Sequence, residues 1–315
     1  ASDTSSVGAI LIPAMIKKGY EKDVTVAVTA TSSTIGVMIP PSIPMVVYGV
    51  ASGASIGKLF LGGFVPGVMV GFALMVVTFF LARKRNYPVE IRIPFLKAVI
   101  IFIKGMPALL TIVIIIGGII SGFFTPTEAA GIAALYSFLL GTLYYRELKL
   151  RDIPGILVEV ATTTGMVALM IATASALGWL FANQGIPQMI GDALLGVTTN
   201  PIIILLLVNA LLLFVGTWLD LSPAVIIFTP ILLPIVQKIG IDPVHFGVIM
   251  VVNLAIGLFT PPVGVCLFIA CGIAEISIAD TVRAFIPFFL AMVVVLLLIT
   301  YIPALVMFLP NLLMP

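Results

Sequence analysis

Apolar residues in this chain run in stretches of about 20, the length a helix needs to cross a bilayer. Polar residues collect in short islands between them. The pattern predicts a half-length helix at 5–17, then a helix over 23–53 interrupted at 38–42. Full spans are expected at 60–82, 107–122, 127–145 and 156–182, with a short re-entrant or interfacial piece at 186–197. A hairpin follows at 201–238 with its tip at Gly216-Thr217-Trp218-Leu219-Asp220. A second interrupted helix at 244–272 and a last span at 284–308 complete the series. Residues 86–104 differ, because Asn86, Tyr87, Glu90, Arg92, Lys97 and Lys104 punctuate apolar positions. They are expected to form an amphipathic surface helix or connecting arm, as 146–155 does on a smaller scale.

The two interruptions are copies of one device. Gly36-Val-Met-Ile-Pro-Pro-Ser42 recurs 221 positions later as Gly257-Leu-Phe-Thr-Pro-Pro-Val263. Each proline removes a backbone donor and clashes with the preceding turn. Carbonyls freed in this way survive at membrane depth only where they face protein or a water-filled cavity. A matched pair of such breaks is the best sequence pointer to the binding site of a secondary transporter. The competing reading is a pair of kinks needed for packing alone.

The repeat extends beyond the prolines. Ile12-Pro13 matches Leu233-Pro234 and Gly19 matches Gly240 at the same offset, and Asp3 pairs with Asp220 if the spacing slips by four. The repeating unit is a half-span helix, a Gly-containing loop, a broken helix and a full span. The second unit has a hairpin arm at 201–215 whose first-unit counterpart would precede residue 1. The opening Ala1-Ser2-Asp3, with no initiator Met or leader, is read as the start of a piece of something longer.

Composition and charge sharpen this reading. The chain of 315 residues is 61% hydrophobic and only 9% charged, against about 25% charged in a soluble domain. It reads as an all-α polytopic membrane protein. Following the expected spans, 13 of the 15 Lys and Arg residues fall on one side, and only Lys58 and Lys238 on the other. Such a bias marks the basic side as cytoplasmic and the C-terminus as periplasmic. It also makes the two repeats inverted, as in alternating-access carriers. The net charge of +2 and the placement of basic runs beside apolar spans argue against nucleic acid as a partner. Cys266 and Cys271 are expected to be small buried side chains.

Several residues carry candidate chemistry. Unwound carbonyls near Gly36–Pro40 and Gly257–Pro261 suit a hard cation such as Na⁺, and Ser42 and Thr260 add hydroxyls. Ser2-Asp3-Thr4-Ser5-Ser6 opens a half-helix, where spare amides and the dipole favour an anionic group. Its counterpart is Asp220-Leu-Ser222-Pro223, read with Ser222 as cap and Pro223 as first helical residue. Plain capping explains part of both; carboxylates at membrane depth are functional by default. In Thr125-Pro126-Thr127-Glu128 a capping box competes with a role for Glu128 on the substrate path or at a partner surface. Gly63, Gly67 and Gly71 form a small-residue face for close helix packing. His245, the one histidine, is expected to cap a helix or lie at the surface, with a proton relay as the alternative.

Two rivals come from other classes. Gly53-Ala-Ser55-Ile-Gly57 fits the nucleophile pattern of an intramembrane hydrolase but lacks the strand-turn-helix context. A passive channel needs a ring of equivalent elements around one pore, which two inverted hairpins do not supply.

ASDTSSVGAILIPAM, IGVMIPPSIPMVVYG, GGIISGFFTPTEAAGIAALY, DPVHFGVIMVVNLAIGLFTPPVG and the closing IPALVMFLP fall in order along the chain. Together they resemble the large membrane subunit of tripartite ATP-independent periplasmic (TRAP) transporters, of which roughly the first quarter is absent. The resemblance implies a Na⁺-coupled elevator carrier in the bacterial inner membrane, with no cofactor beyond the coupling ion. It implies two partners, a small four-helix membrane subunit and a periplasmic substrate-binding protein. It implies a carboxylate substrate such as a dicarboxylate, a sialic acid or another sugar acid. It divides the chain into 1–58 and 186–280 as transport-domain halves, and 59–185 and 281–315 as scaffold. Carried onto these residues, Na⁺ falls at Ser2, Ser5, Gly36, Met38 and Pro40, and at Gly216, Thr217, Gly257 and Thr260. Asp3, Ser42, Ser55, Glu128 and Asp220 become candidates for the substrate path. A proton-coupled or binding-protein-independent anion carrier of the same superfamily is the alternative.

Overall fold

The computed structural model describes residues 2–87, 94–186, 189, 190, 196, 198 and 200–314. Within them the chain is helical. The helices are α1 (Ser2–Lys17), α2 (Lys22–Ser32), α3 (Ile35–Met38), α4 (Ile43–Ser52), α5 (Ile56–Lys84), α6 (Phe95–Ile120) and α7 (Pro126–Leu139). They continue as α8 (Ile153–Asn183), α9 (Pro201–Gly216), α10 (Leu221–Lys238), α11 (Pro243–Gly257), α12 (Val265–Ala274), α13 (Ile278–Tyr301) and α14 (Ala304–Leu313). Five are long and apolar enough to cross a membrane, and the pair α2–α3 with α4 makes a sixth, bent by 44° at the first Pro-Pro.

The repeat seen in the sequence is a repeat of structure. Shifted by 221 positions, α2 and α3 fall on α11 and α4 on α12, each to within about two residues, the ordinary uncertainty of a helix end, and α5 falls on α13, which stops four residues short of its counterpart's end. Pro40-Pro41 and Pro261-Pro262 are both cis, and Gly19 and Gly240 both take a left-handed turn, with φ 88° and 82°. The repeats interlock rather than sit side by side. The half-helix α1 packs on α2 of its own repeat and on α12 of the other, while α10 packs on α11 and on α4. The core is the fully buried α11, wrapped by α4, α5, α9, α10 and α13.

The chain divides into two compact units, residues 1–88 with 174–315, and residues 89–173. The first holds both broken helices, the hairpin α9–α10, and α5, α13 and α14. In the second, α6 and α7 pack on one another, with the Tyr136 hydroxyl donating to the Pro107 carbonyl at 2.8 Å.

Three expectations change. Residues 95–104 are the first turns of α6, continuous with the following span through Pro107, so no separate surface helix exists there; residues 88–93 lie outside the described set. The last span is two helices, because Pro303 ends α13 at Tyr301. The proline also strips the Ile299 carbonyl of its helical donor. The ring Nε2 of His245 takes that carbonyl at 2.7 Å, which requires the proton on Nε2. His245 is buried, so the surface position expected for it is wrong. The piece expected at 186–197 lies largely outside the described residues.

Candidate functional site

The first junction is polar. Helix α1 begins at Ser2, so Asp3, Thr4, Ser5 and Ser6 form its first turn. The Asp3 carboxylate lies against Gly36 of the first break, so closely that a Cβ on Gly36 would collide with Oδ2. Thr4 is buried and donates to the Ser33 hydroxyl at 2.8 Å, which donates to the Thr29 carbonyl at 2.8 Å. Further down α2, Thr25 and Thr29 return their hydroxyls to carbonyls four residues back, a habit that satisfies a hydroxyl in an apolar setting and bends the helix slightly.

Prolines 40 and 41 leave the Gly36 and Val37 carbonyls without their helical donors. The Ser42 hydroxyl donates to the Val37 carbonyl and also caps α4 by accepting from the Met45 amide. No backbone N–H reaches the Gly36 carbonyl among the described residues. At Gly36 a carboxylate thus approaches a residue whose carbonyl receives no backbone N–H among the described residues, an arrangement that suits a cation. The Met38 carbonyl instead lies beside α5, 2.5 Å from where a Cβ on Gly63 would stand. Gly67 receives Ile39 in the same way, at 2.5 Å from Cγ1. The glycine face of α5 thus has the packing role expected of it, and its partner is the break itself.

The second junction is built of backbone. Helix α9 ends at Gly216, and a Cβ there would stand 3.4 Å from the Gly257 Cα. A Cβ on Gly257 would fall inside the Gly216 carbonyl group. The Val263 amide donates to the Thr217 carbonyl at 3.3 Å, tying hairpin tip to break. Pro261 and Pro262 free the Gly257 and Leu258 carbonyls, but both find amides: Thr260 at 3.1 Å and Cys266 at 2.8 Å. The Thr260 and Thr217 hydroxyls donate to the Ile256 and Phe214 carbonyls at 2.6 and 2.7 Å. Asp220 is the N-cap residue of α10, its exposed side chain making no capping bond. The expected start with Ser222 as cap and Pro223 first is corrected: Leu221 is the first helical residue and Pro223 the third.

The structure thus brings Asp3 to Gly36 and Ser42 to Val37, and Gly216 to Gly257. Ser55 serves its own helix. Its hydroxyl caps α5 by accepting from the Lys58 amide at 3.3 Å, at a helix–helix joint rather than a nucleophile elbow. Glu128 closes the capping box of α7, accepting from the Thr125 amide and hydroxyl, both at 2.8 Å. Among the described residues no three His, Cys, Asp or Glu side chains cluster as metal ligands. A cation here would be held by main-chain, hydroxyl and single carboxylate oxygens, the donor set of a hard ion.

Sequence reasoning missed a buried amide cluster behind the second junction. Asn253 of α11 donates to the Asn209 side-chain and main-chain oxygens at 2.8 and 3.0 Å, and Asn209 of α9 donates to the Thr300 hydroxyl of α13 at 3.0 Å. All three residues are buried, and the Asn253 Oδ1 has no partner. Side-chain amides within uninterrupted apolar runs were the available signal. Tyr48 was also missed; it is fully buried and its hydroxyl donates to the Pro243 carbonyl at 2.7 Å, joining α4 of one repeat to α11 of the other.

Comparison with known proteins agrees with the motif pattern. Residues 1–305 match the family described as the DctM component of tripartite ATP-independent periplasmic transporters. An uncharacterized protein of Salmonella typhimurium, YgiK, is 45% identical over 315 residues, all of this chain and 72% of that protein. The isethionate TRAP transporter permease DctMQ of Oleidesulfovibrio alaskensis is 47% identical over 305 residues, 96% of this chain and 48% of that protein. The large permease of the sialic acid TRAP transporter of Vibrio cholerae, SiaM, is 40% identical over 314 residues, 99% of this chain and 73% of that protein.

Proposed function

Because the chain belongs to the DctM component family of TRAP transporters, a family of multi-pass permeases and not of enzymes, we propose that it is the membrane-embedded subunit of a Na⁺-coupled importer of small organic anions. The observation that carries the coupling ion is the meeting of the Asp3 carboxylate with Gly36, whose carbonyl no backbone amide reaches among the described residues. Na⁺ takes oxygen ligands, and the first junction offers a carboxylate at Gly36 together with the hydroxyls of the first turn of α1. The second ion sits at the Gly216–Asp220 tip with the Gly257–Thr260 break, where hydroxyl and carbonyl oxygens are already in place. The anion is drawn between the tips, with its charge offset by the bound cations rather than by a fixed Arg or Lys.

A carboxylate is the favoured cargo, in keeping with the sialic acid relative. The isethionate relative at 47% identity supports a second reading, an organosulfonate. The chain acts in the inner membrane with its basic loops cytoplasmic. Its two partners are a small membrane subunit and a periplasmic binding protein that delivers the anion, as the word tripartite in the family's description suggests. The test is uptake into proteoliposomes carrying the three components. An inward Na⁺ gradient is expected to drive accumulation, and replacing Na⁺ with choline at constant pH to abolish it. Undiminished uptake in choline would overturn the Na⁺ assignment. Competition by dicarboxylates, sialic acid and isethionate separates the two cargo readings.

A further inference from the structure

A groove of about 590 Å³ runs between α5 and α13, at the seam of the two repeats and within one compact unit. Every side chain that lines it is apolar. Phe72 of α5 and Val294 of α13 stand at its rims, 64% and 56% exposed, while Ala73 and Ala291 are short and leave it its depth. The two helices are antiparallel. Val306, just past the end of α13, lies against Gly62 near the start of α5. Carried along both helices, that register brings Arg83 and Lys84, at the end of α5, opposite the turn of α13 that holds Arg283. All three lie on the lined faces. Positions 69, 72, 73, 76 and 77 continue at helical spacing to Phe80, Arg83 and Lys84, and positions 298, 294 and 291 to Pro287 and Arg283.

We propose that the groove seats an acyl chain of an anionic phospholipid whose headgroup rests on Arg83, Lys84 and Arg283. Charge carries the choice of occupant. The three cations are exposed, and no ion pair engages them among the described residues. Arg85, the next basic residue, is turned away to Asp23 and Glu21 on α2. Asp280, the acid nearest Arg283 in sequence, is held in its own capping box by the Ser277 hydroxyl at 2.7 Å. The Arg83 guanidinium sits 4.6 Å from the centre of the Phe79 ring, which holds it close to the helix at the rim of the apolar zone. Depth agrees with charge. At 1.5 Å per residue the groove begins about 10 Å from the level of Lys84 and ends about 24 Å from it. That is the reach of a chain descending from a headgroup on the basic side to the middle of a hydrocarbon core about 30 Å thick. Any lipid tail suits the lining; the basic triad adds preference for a negative headgroup.

The experiment uses phosphatidylglycerol and phosphatidylcholine, each with a diazirine at the end of one acyl chain. They are placed at equal mole fraction in vesicles carrying the assembled transporter, and adducts are mapped by mass spectrometry. The ratio of phosphatidylglycerol to phosphatidylcholine adducts on residues 68–77 and 291–298 is expected to exceed the ratio over all other adducts by about fivefold or more, the equivalent of one cation at a membrane surface. Arg83→Gln, Lys84→Gln and Arg283→Gln together are expected to bring it down to that common ratio. Lys17→Gln with Lys22→Gln, which removes two other exposed cations, is expected to leave it unchanged. Concentrated salt on the wild type reads the same preference without a substitution, and is expected to lower it. A groove ratio no higher than the common one, a ratio indifferent to the triple substitution or to salt, an equal fall in the Lys17 and Lys22 variant, or an absence of lipid adducts from the groove would overturn the proposal.

Discussion

The two junctions share one backbone frame and differ in nearly every side chain that matters. At the first, a carboxylate leans on a glycine and a hydroxyl relay runs from Thr4 through Ser33 to Thr29. At the second, two glycines touch backbone to backbone, and every carbonyl freed by the prolines has found an amide. The first repeat carries Thr25, Thr29, Thr31 and Thr34 where α11 carries Phe246, Met250, Val252 and Ala255. The first half thus meets its break through a carboxylate and hydroxyls, and the second through main chain, held from behind by the Asn209–Asn253 amides. The frame is what the inverted architecture requires of both halves. The chemistry is free to diverge, because the tip can meet the break through either side chains or main chain.

Glycine substitutions separate the two most sharply. Gly257→Ala places a Cβ within the Gly216 carbonyl group, with backbone on both sides and nothing flexible to yield. A loss of about 1–3 kcal/mol is expected for such overpacking, seen as a lower unfolding temperature in detergent together with lost uptake. Gly36→Ala meets only the end of the Asp3 side chain, which can swing away. It is expected to leave the unfolding temperature near wild type and to abolish the Na⁺ dependence of uptake. Equal destabilisation by the two substitutions would erase the distinction drawn here.

That contrast was half legible in the sequence. Paired prolines at a constant offset are rigid local signals, so the broken helices and the hairpin could be placed before any coordinates, while the pairing of each tip with its break came only from the family resemblance. What could not be placed was which side chain each glycine faces. Gly36 and Gly257 are the same letter in the same motif, and their partners lie 33 and 41 positions away. The capping box at Thr125–Glu128 was readable because all its partners lie within four residues. The Asn209–Asn253–Thr300 cluster was not, because its members are scattered over 91 positions and meet only through packing. The expected last span ran through Pro303 to 308, and the buried His245 that takes the carbonyl orphaned by that proline sits 54 residues from Ile299.

Removing charge tests the polar half directly. Asp3→Asn keeps the shape at Gly36 and removes one negative ligand. The Na⁺ concentration for half-maximal uptake is expected to rise about tenfold or more, the equivalent of about 1.4 kcal/mol, while the protein stays monodisperse. Asp220→Asn is expected to reduce uptake with little effect on folding, since its side chain makes no capping bond. Wild-type uptake in both variants would leave the tips as caps alone.

The amide clamp behind the second junction should show itself as a modest coupling. Asn209→Leu and Asn253→Leu each strand a buried partner, and the double substitution relieves part of that cost. A double-mutant cycle on unfolding is expected to give about 0.6 kcal/mol, the usual size for interhelical hydrogen bonds in membranes. No coupling at all would mean that α9 is seated by apolar contact alone.

The smallest effect is expected at an ion-pair clasp that the second half lacks. Arg85, at the end of α5, pairs with both oxygens of Asp23 on α2 at 2.9 Å and also contacts Glu21, while Tyr20 and Tyr87 pack with ring centroids 4.6 Å apart. The corresponding positions in the second repeat, Val306 and Val244, cannot form such a pair; there His245 joins α11 to α13 with a neutral hydrogen bond. The Arg85 and Asp23 side chains are only partly buried, at 22% and 21% exposure, so solvent and salt screen the pair. Arg85→Gln is therefore expected to cost no more than about 1 kcal/mol, and the difference from wild type should shrink further in concentrated choline chloride. A cost as large as that of Gly257→Ala, or one indifferent to salt, would show that the first half is held by its charged clasp as firmly as the second is by its touching backbones.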